Sequence, residues 1–131
     1  MNNLDDQLCE FVIGNDFDIV RDLDMSSLFV GATASKAWFV VKKNRRDADA
    51  DAIIQLDITS TYTAGKGQIT DAGAGDLKGQ LVFEVDAAVS ARLLAGRVYF
   101  YDIKVLTSTG QLYTPESGTC KGRGPIKVAS S

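Results

Sequence analysis

The sequence predicts an all-β sandwich or barrel. Apolar and polar residues alternate with a period of two in several short runs, turn residues recur between the runs, and only one stretch has a helical pattern. In the longest run, Leu94 to Leu106, Tyr99, Tyr101, Ile103 and Val105 fall on one face and Phe100, Asp102 and Lys104 on the other. That alternation, rich in aromatic and β-branched residues, suits a half-buried strand. Ser108-Thr-Gly110 supplies a turn, and Gln111 to Thr114 its antiparallel return.

The other elements follow in order. Leu8 to Ile13 reads as a short apolar strand, closed by a turn at Gly14-Asn15-Asp16. Phe17 to Arg21 alternates, with Phe17 and Ile19 on one face. Asp22 to Thr33 is a polar connection whose Leu28-Phe29-Val30 is expected to fold back as an apolar plug. Ser35 to Lys43 is a strand with Ala37, Phe39 and Val41 on one face and Lys36, Trp38, Val40 and Lys42 on the other. The lysines mark the second face as the wetter one. Asn44 to Asp51 is a charged loop with room for one helical turn. Ile53 to Thr59, Gly67 to Thr70 and Gly79 to Val85 are strands. Asp86 to Ala95 is the helical candidate, with Asp86 as N-cap, Leu94 docking on the sandwich edge and Gly96 just past its end. Gly118, Gly122, Gly124 and Pro125 break up the tail, in which Ile126 to Val128 is a candidate final strand.

The length of 131 residues is that of one domain, spanning 1–131 with a short N-terminal arm and a glycine-rich C-terminal tail. A net charge of −3 argues against nucleic acid as the main partner. No apolar run approaches the ~18–20 residues that span a bilayer, so no membrane partner is expected. The polar, acidic N-terminus lacks the pattern of a secretory signal, which points to synthesis in the cytosol. The chain has no histidine, which removes Ser-His-Asp and Cys-His nucleophilic sites and most zinc sites. Cys9 and Cys120 lie near opposite ends. They read either as a disulfide tying the termini or as two small buried residues in a reducing compartment, and the lack of a cysteine framework favours the second.

Four constellations merit weighing. Asp47, Asp49 and Asp51 have the spacing that opens a calcium loop, but Ala52 and Ile58 replace the glycine and glutamate such a loop needs, so a solvated acidic loop is the better reading. Gly73 to Gly79 separates two strands rather than opening a helix, which makes it a turn rather than a phosphate cradle. Asp16, Asp18, Asp22 and Asp24 could supply paired carboxylates, but no acid–base partner or aromatic platform accompanies them. Arg45-Arg46 and Lys121-Gly-Arg123 are small basic clusters in loops, read as surface decoration or as contacts for an acidic partner. The expectation is therefore no enzyme, no cofactor and no metal. Trp38 and Val40 form an apolar strip among lysines. With Arg45, Arg46, Lys121 and Arg123 they are the candidate interface residues, unless the helix or the Leu28 to Val30 segment covers the strip.

Short motifs recur along the chain in a fixed order. Gly14-Asn-Asp16-Phe17 is a glycine-acidic turn, and Ala37-Trp-Phe-Val-Val-Lys42 runs through aromatics to a lysine. Asp47-Ala-Asp-Ala-Asp-Ala-Ile-Ile-Gln55 enters an apolar strand, and Thr70-Asp-Ala-Gly-Ala-Gly75 is a link. Leu94-Ala-Gly-Arg-Val-Tyr-Phe-Tyr-Asp-Ile-Lys104 takes a helix through glycine into an aromatic strand. Ser117-Gly-Thr119 ends a strand. In this order the chain resembles the immunoglobulin-like β-sandwich domains of tailed-phage virion proteins, including the N-terminal domain of baseplate upper proteins. It departs in Leu23 to Thr33, in Cys120 to Gly124 and in lacking a long C-terminal extension. The resemblance implies an immunoglobulin-like antiparallel sandwich of about 7–9 short strands with one short helical turn. It also implies a non-enzymatic virion structural role in capsid, neck, tail or baseplate, with synthesis in the bacterial host cytoplasm. Copies of itself, a trimer among the options, and other phage structural proteins would be the partners. A carbohydrate-binding or adhesin module, with Trp38 or Tyr62 stacking on sugars, is the alternative from another class.

Overall fold

A computed structural model describes residues 9–12, 16–24, 32–72, 78–94 and 96–123. The Leu28 to Val30 plug, the glycines of 73–75 and the tail strand at 126–128 lie outside these residues. The strands are β1 (Cys9–Val12), β2 (Phe17–Asp24), β3 (Ala34–Lys42), β4 (Ile54–Ile58), β5 (Gly67–Asp71), β6 (Lys78–Val85), β7 (Val98–Thr107) and β8 (Leu112–Arg123). A 3₁₀ turn at Asp49–Asp51 and a four-residue helix α1 (Ala87–Ser90) are the helical elements among the described residues.

The strands form a five-stranded sheet, β1-β8-β7-β3-β4, and a three-stranded sheet, β2-β6-β5. With β2, β6 and β5 as B, E and D, and β8, β7, β3 and β4 as G, F, C and C′, this is the immunoglobulin strand order. One ladder departs from the antiparallel expectation: β1 runs parallel to β8, with Cys9 opposite Cys120. The chain therefore begins and ends its described strands side by side.

The period of two decides which side chains are buried. Ala37, Phe39 and Val41 of β3 and Tyr99, Tyr101, Ile103 and Val105 of β7 face Ile19 of β2 and Leu81, Phe83 and Val85 of β6 across the core. Phe39 is the aromatic centre, its ring 5.7 Å from Phe83 and 6.0 Å from Tyr101. At one open side of the sandwich the sheets are joined by charge. Arg21 of β2 donates to Glu116 of β8 at 2.8 Å, and the Tyr101 hydroxyl donates to the other Glu116 oxygen. Burial works against the Arg21 charge, but Glu116 outweighs it by hydrogen bond and by charge, so the guanidinium is held more firmly protonated. At the other side Ile69 N–H donates to Thr59 at 2.7 Å and Ala34 N–H to Ala72 at 2.9 Å.

β8 continues well past the expected return at Thr114. Pro115 has no N–H for a ladder, and the register with β7 shifts between Ile103 and Val105 at that level, which absorbs it. β1 joins β8 only from Cys120 onward, so Pro115 sits where β8 is still an edge.

The helical expectation for Asp86 to Ala95 shrinks to α1 and two corrections follow. The side chain of Asp86 makes no cap. Asp16, just before β2, accepts from the Ala87 N–H at 2.6 Å instead. Leu93, at 2% exposed, is the residue that docks, whereas Leu94 is 61% exposed. Tyr99, second in β7, accepts a hydrogen bond from the Leu94 N–H at 2.8 Å. A tyrosine at the start of strand F that bonds backed-up main chain at the E–F corner is a hallmark of immunoglobulin-like sandwiches. Tyr99→Phe is expected to cost about 1 kcal/mol by urea unfolding. No measurable change would mean that the corner does not depend on this bond.

Candidate functional site

The outer face of the five-stranded sheet holds most of the candidate interface residues. Because Phe39 and Val41 are inside, Trp38 points outward, half-buried, with the Lys36 ammonium 5.3 Å from its ring centroid. Lys36 also approaches Asp57 at 3.6 Å, and Lys66 donates to Asp57 at 2.9 Å. The Lys66 hydrogen bond leads the causes that hold Asp57 below the ordinary carboxylate range, against some desolvation.

Val40 must be removed from the candidate interface. It is 1% exposed, on the outer face yet covered within the chain. The 3₁₀ turn carries Asp49 over this end of the sheet, where its two oxygens take the Lys42 and Lys104 ammonium groups, each at 2.6 Å. Lys42 follows Val40 by two residues on β3, and Lys104 lies beside Asp102, the residue opposite Val40 on β7. The lysine stems and the turn above them close this part of the face. Lys42, expected to mark a wet face, is itself only 7% exposed.

This clamp also explains the acidic loop. Asp49 gives both oxygens to lysines, Asp47 accepts from the Asn44 N–H at 3.2 Å, and Asp51 is exposed. The aspartates at 47, 49 and 51 therefore anchor a loop instead of converging on one point. Hydrogen bonds from Lys104 and then Lys42 hold Asp49 below the usual carboxylate range. A carboxylate depressed on folding adds stability that is present above its unfolded pKa, about 4, and is lost as pH falls through the folded value. Asp49→Ala removes that contribution and leaves Lys42 buried without its partner. The expected loss is about 2 kcal/mol at pH 7, reduced from the fully buried case because Asp49 is partly exposed. Denaturant midpoints at pH 7 and pH 3 test it: the gap between variant and parent should narrow at pH 3.

The basic candidates separate by position. The Arg45 guanidinium lies over Phe100 at 4.7 Å, a cation–π contact that fixes an otherwise mobile side chain. Arg46 is exposed, and Lys121, on β8, is half-buried opposite Val98. Arg123 ends β8, and its side chain lies outside the described residues. Arg97, which the sequence did not single out, lies 5.7 Å from the ring of Tyr99, an inward-facing residue, and so stands apart from this outer face. Position just before a strand was its only sequence signal.

The four N-terminal aspartates do not gather. Asp16 caps α1, Asp18 lies opposite Glu84, and Asp22 accepts from Gln80 at 3.1 Å. The Asp24 side chain lies outside the described residues. Of the aromatic candidates, Tyr62 is 54% exposed and donates to Glu84 at 2.8 Å, on the side of the three-stranded sheet, away from Trp38. Among the described residues no group of three or more metal-ligating side chains converges, and no helix is long and apolar enough to cross a membrane. Neither the protein-family models nor the curated proteins contain a match to this chain.

Proposed function

We propose that the chain is a non-enzymatic virion structural protein of a tailed bacteriophage, made in the host cytoplasm. It decorates or joins parts of the particle, whether capsid, neck, tail or baseplate, through contacts with copies of itself and with other structural proteins. The observation that carries this reading is the outer face of the five-stranded sheet. Half-buried Trp38 lies there in the open part of the face, with exposed Arg46 and ring-stacked Arg45 at one end. An aromatic anchor on a sheet face that carries arginines at its far end, beyond the Asp49 clamp, has the residue types enriched at interfaces. The order of short motifs from Gly14 to Thr119 supports the phage setting. Trp38 and Tyr62 lie on opposite faces, so these two rings cannot grip one sugar together, which weakens the carbohydrate-binding alternative.

Mass spectrometry of purified particles, with and without tails, is the direct test. Absence of the chain from both would end the reading. Trp38→Ala is expected to lose no more than about 1 kcal/mol of stability, since the ring is only partly buried, and yet to fail to incorporate. A variant that assembles normally would remove Trp38 from the interface.

A further inference from the structure

The chain has a net charge of −3, but its charges are sorted by face. On the outer side of the five-stranded sheet, Arg45, Arg46 and Lys121 surround the start of β7, and none enters an ion pair among the described residues. Val98, 45% exposed, lies opposite Lys121 across the ladder and on the same face as Phe100, which carries Arg45. Asp47 and Asp49 nearby are engaged inside the chain, Asp102 is half-buried on this side, and Glu10, whose side chain lies outside the described residues, stands next to Lys121 in the β1–β8 ladder, so that Arg45 and Arg46 are the core of the cationic patch.

The outer side of the three-stranded sheet is the reverse. Asp18 and Glu84 stand directly opposite one another in the β2–β6 ladder, a like-charge pair that costs stability where nothing neutralises it. No lysine or arginine pairs with either among the described residues. Tyr62 lies in the same field: its hydroxyl is held above its ordinary range by the Glu84 hydrogen bond first, then by desolvation, with the charges of Glu84, Asp18 and Asp86 adding to it. Val20, 48% exposed, lies two residues from Asp18 on the same face, opposite Val82.

Each face thus offers an exposed valine beside unneutralised charge, and the two signs are opposite. We infer that the chain binds copies of itself head to tail, the cationic patch around Val98 of one copy seating on the acidic patch around Val20 of the next. This deepens the structural reading above by naming the surfaces. The patches lie at the same end of the sandwich, since the 86–97 segment joins the Asp16 cap of β2 to the start of β7, but on opposite faces. A copy joined through one patch therefore keeps the other open, and the assembly grows into a ring or a chain instead of stopping at a two-fold dimer.

Sedimentation velocity on the full chain at about 20 mM and about 500 mM salt tests this, with an expected weakening of association of at least tenfold at the higher salt. Arg45→Glu/Arg46→Glu and Asp18→Lys/Glu84→Lys should each be monomeric and folded by circular dichroism. Mixed, they should associate again, because the native acidic patch of the first variant meets the native cationic patch of the second and their two reversed patches are complementary in turn. Should a double variant misfold, the exposed single changes Arg46→Glu and Asp18→Lys give the same comparison. A parent protein monomeric at low salt, or a mixture that stays monomeric, overturns the inference. Particle incorporation is read separately: a chain that self-associates but is absent from particles sinks the virion reading alone, and a monomeric chain found in particles sinks only the head-to-tail contact.

Discussion

Phe39→Ala is expected to lower the unfolding free energy by about 3–5 kcal/mol, the largest effect of any single truncation considered. Phe39 is 1% exposed and its ring touches both sheets' aromatics, Phe83 from β6 and Tyr101 from β7. Truncation removes the transfer energy of a whole ring and leaves a cavity that two rigid rings cannot collapse into. Domains of this size are commonly stable by only about 5–15 kcal/mol, so the variant should be much closer to its unfolding midpoint at ordinary temperature. The neighbouring Trp38→Ala, which removes a larger ring from the opposite face, should cost far less. Urea unfolding of both variants reads the contrast. Equal losses would mean that the outer face of β3 is as closed as the inner one.

The second large effect is a single methyl group. Gly67→Ala is expected to cost about 3–4 kcal/mol, combining backbone strain with overpacking. Gly67 opens β5 with φ of 120°, and a Cβ there would lie 2.0 Å from the Val82 carbonyl oxygen. That oxygen belongs to the ladder backbone and cannot swing away. Gly110→Ala is the control. Its φ is also positive, 87°, but its Cβ would meet nothing within 4 Å, so only the strain remains, about 1 kcal/mol. Thermal melts of the two variants should differ by several degrees, and equal melting temperatures would mean that β5 can move off β6 at no cost.

The difference between legible and illegible parts of this chain follows the range of the forces involved. The two faces of β3 and β7 could be read because alternation is local: Phe39 is inside for the same reason that Trp38 is outside. The turn at Ser108 to Gly110 could be read for the same reason, and the Gly110 φ bears it out. Burial of Lys42 could not, because a lysine marks solvent unless a partner arrives from elsewhere. Here the partner comes from a loop, and the second lysine from β7. The Asp16 cap failed in the same way, since a nearby aspartate was the obvious choice and the actual one is 71 residues away. Choosing Leu94 over Leu93 was a failure of length: one helical turn carries too few residues to fix a face. In the candidate site, Trp38, Arg45 and Arg46 were visible as residue types, whereas the closure over Val40 depended on the same unseen clamp.

The parallel pairing of β1 with β8 puts the first described strand to be synthesised against the last described one. At about 5–20 residues per second, β1 waits on the order of ten seconds for its partner to leave the ribosome. Closing so long a loop is entropically expensive until the other ladders have shortened it, so this ladder forms late even after release. During that interval β1 is a strand edge with no neighbour, the kind of segment that pairs with other chains. A nascent chain that ends before Cys120 therefore carries a nearly assembled sandwich in which β1 alone still lacks its partner among the described strands.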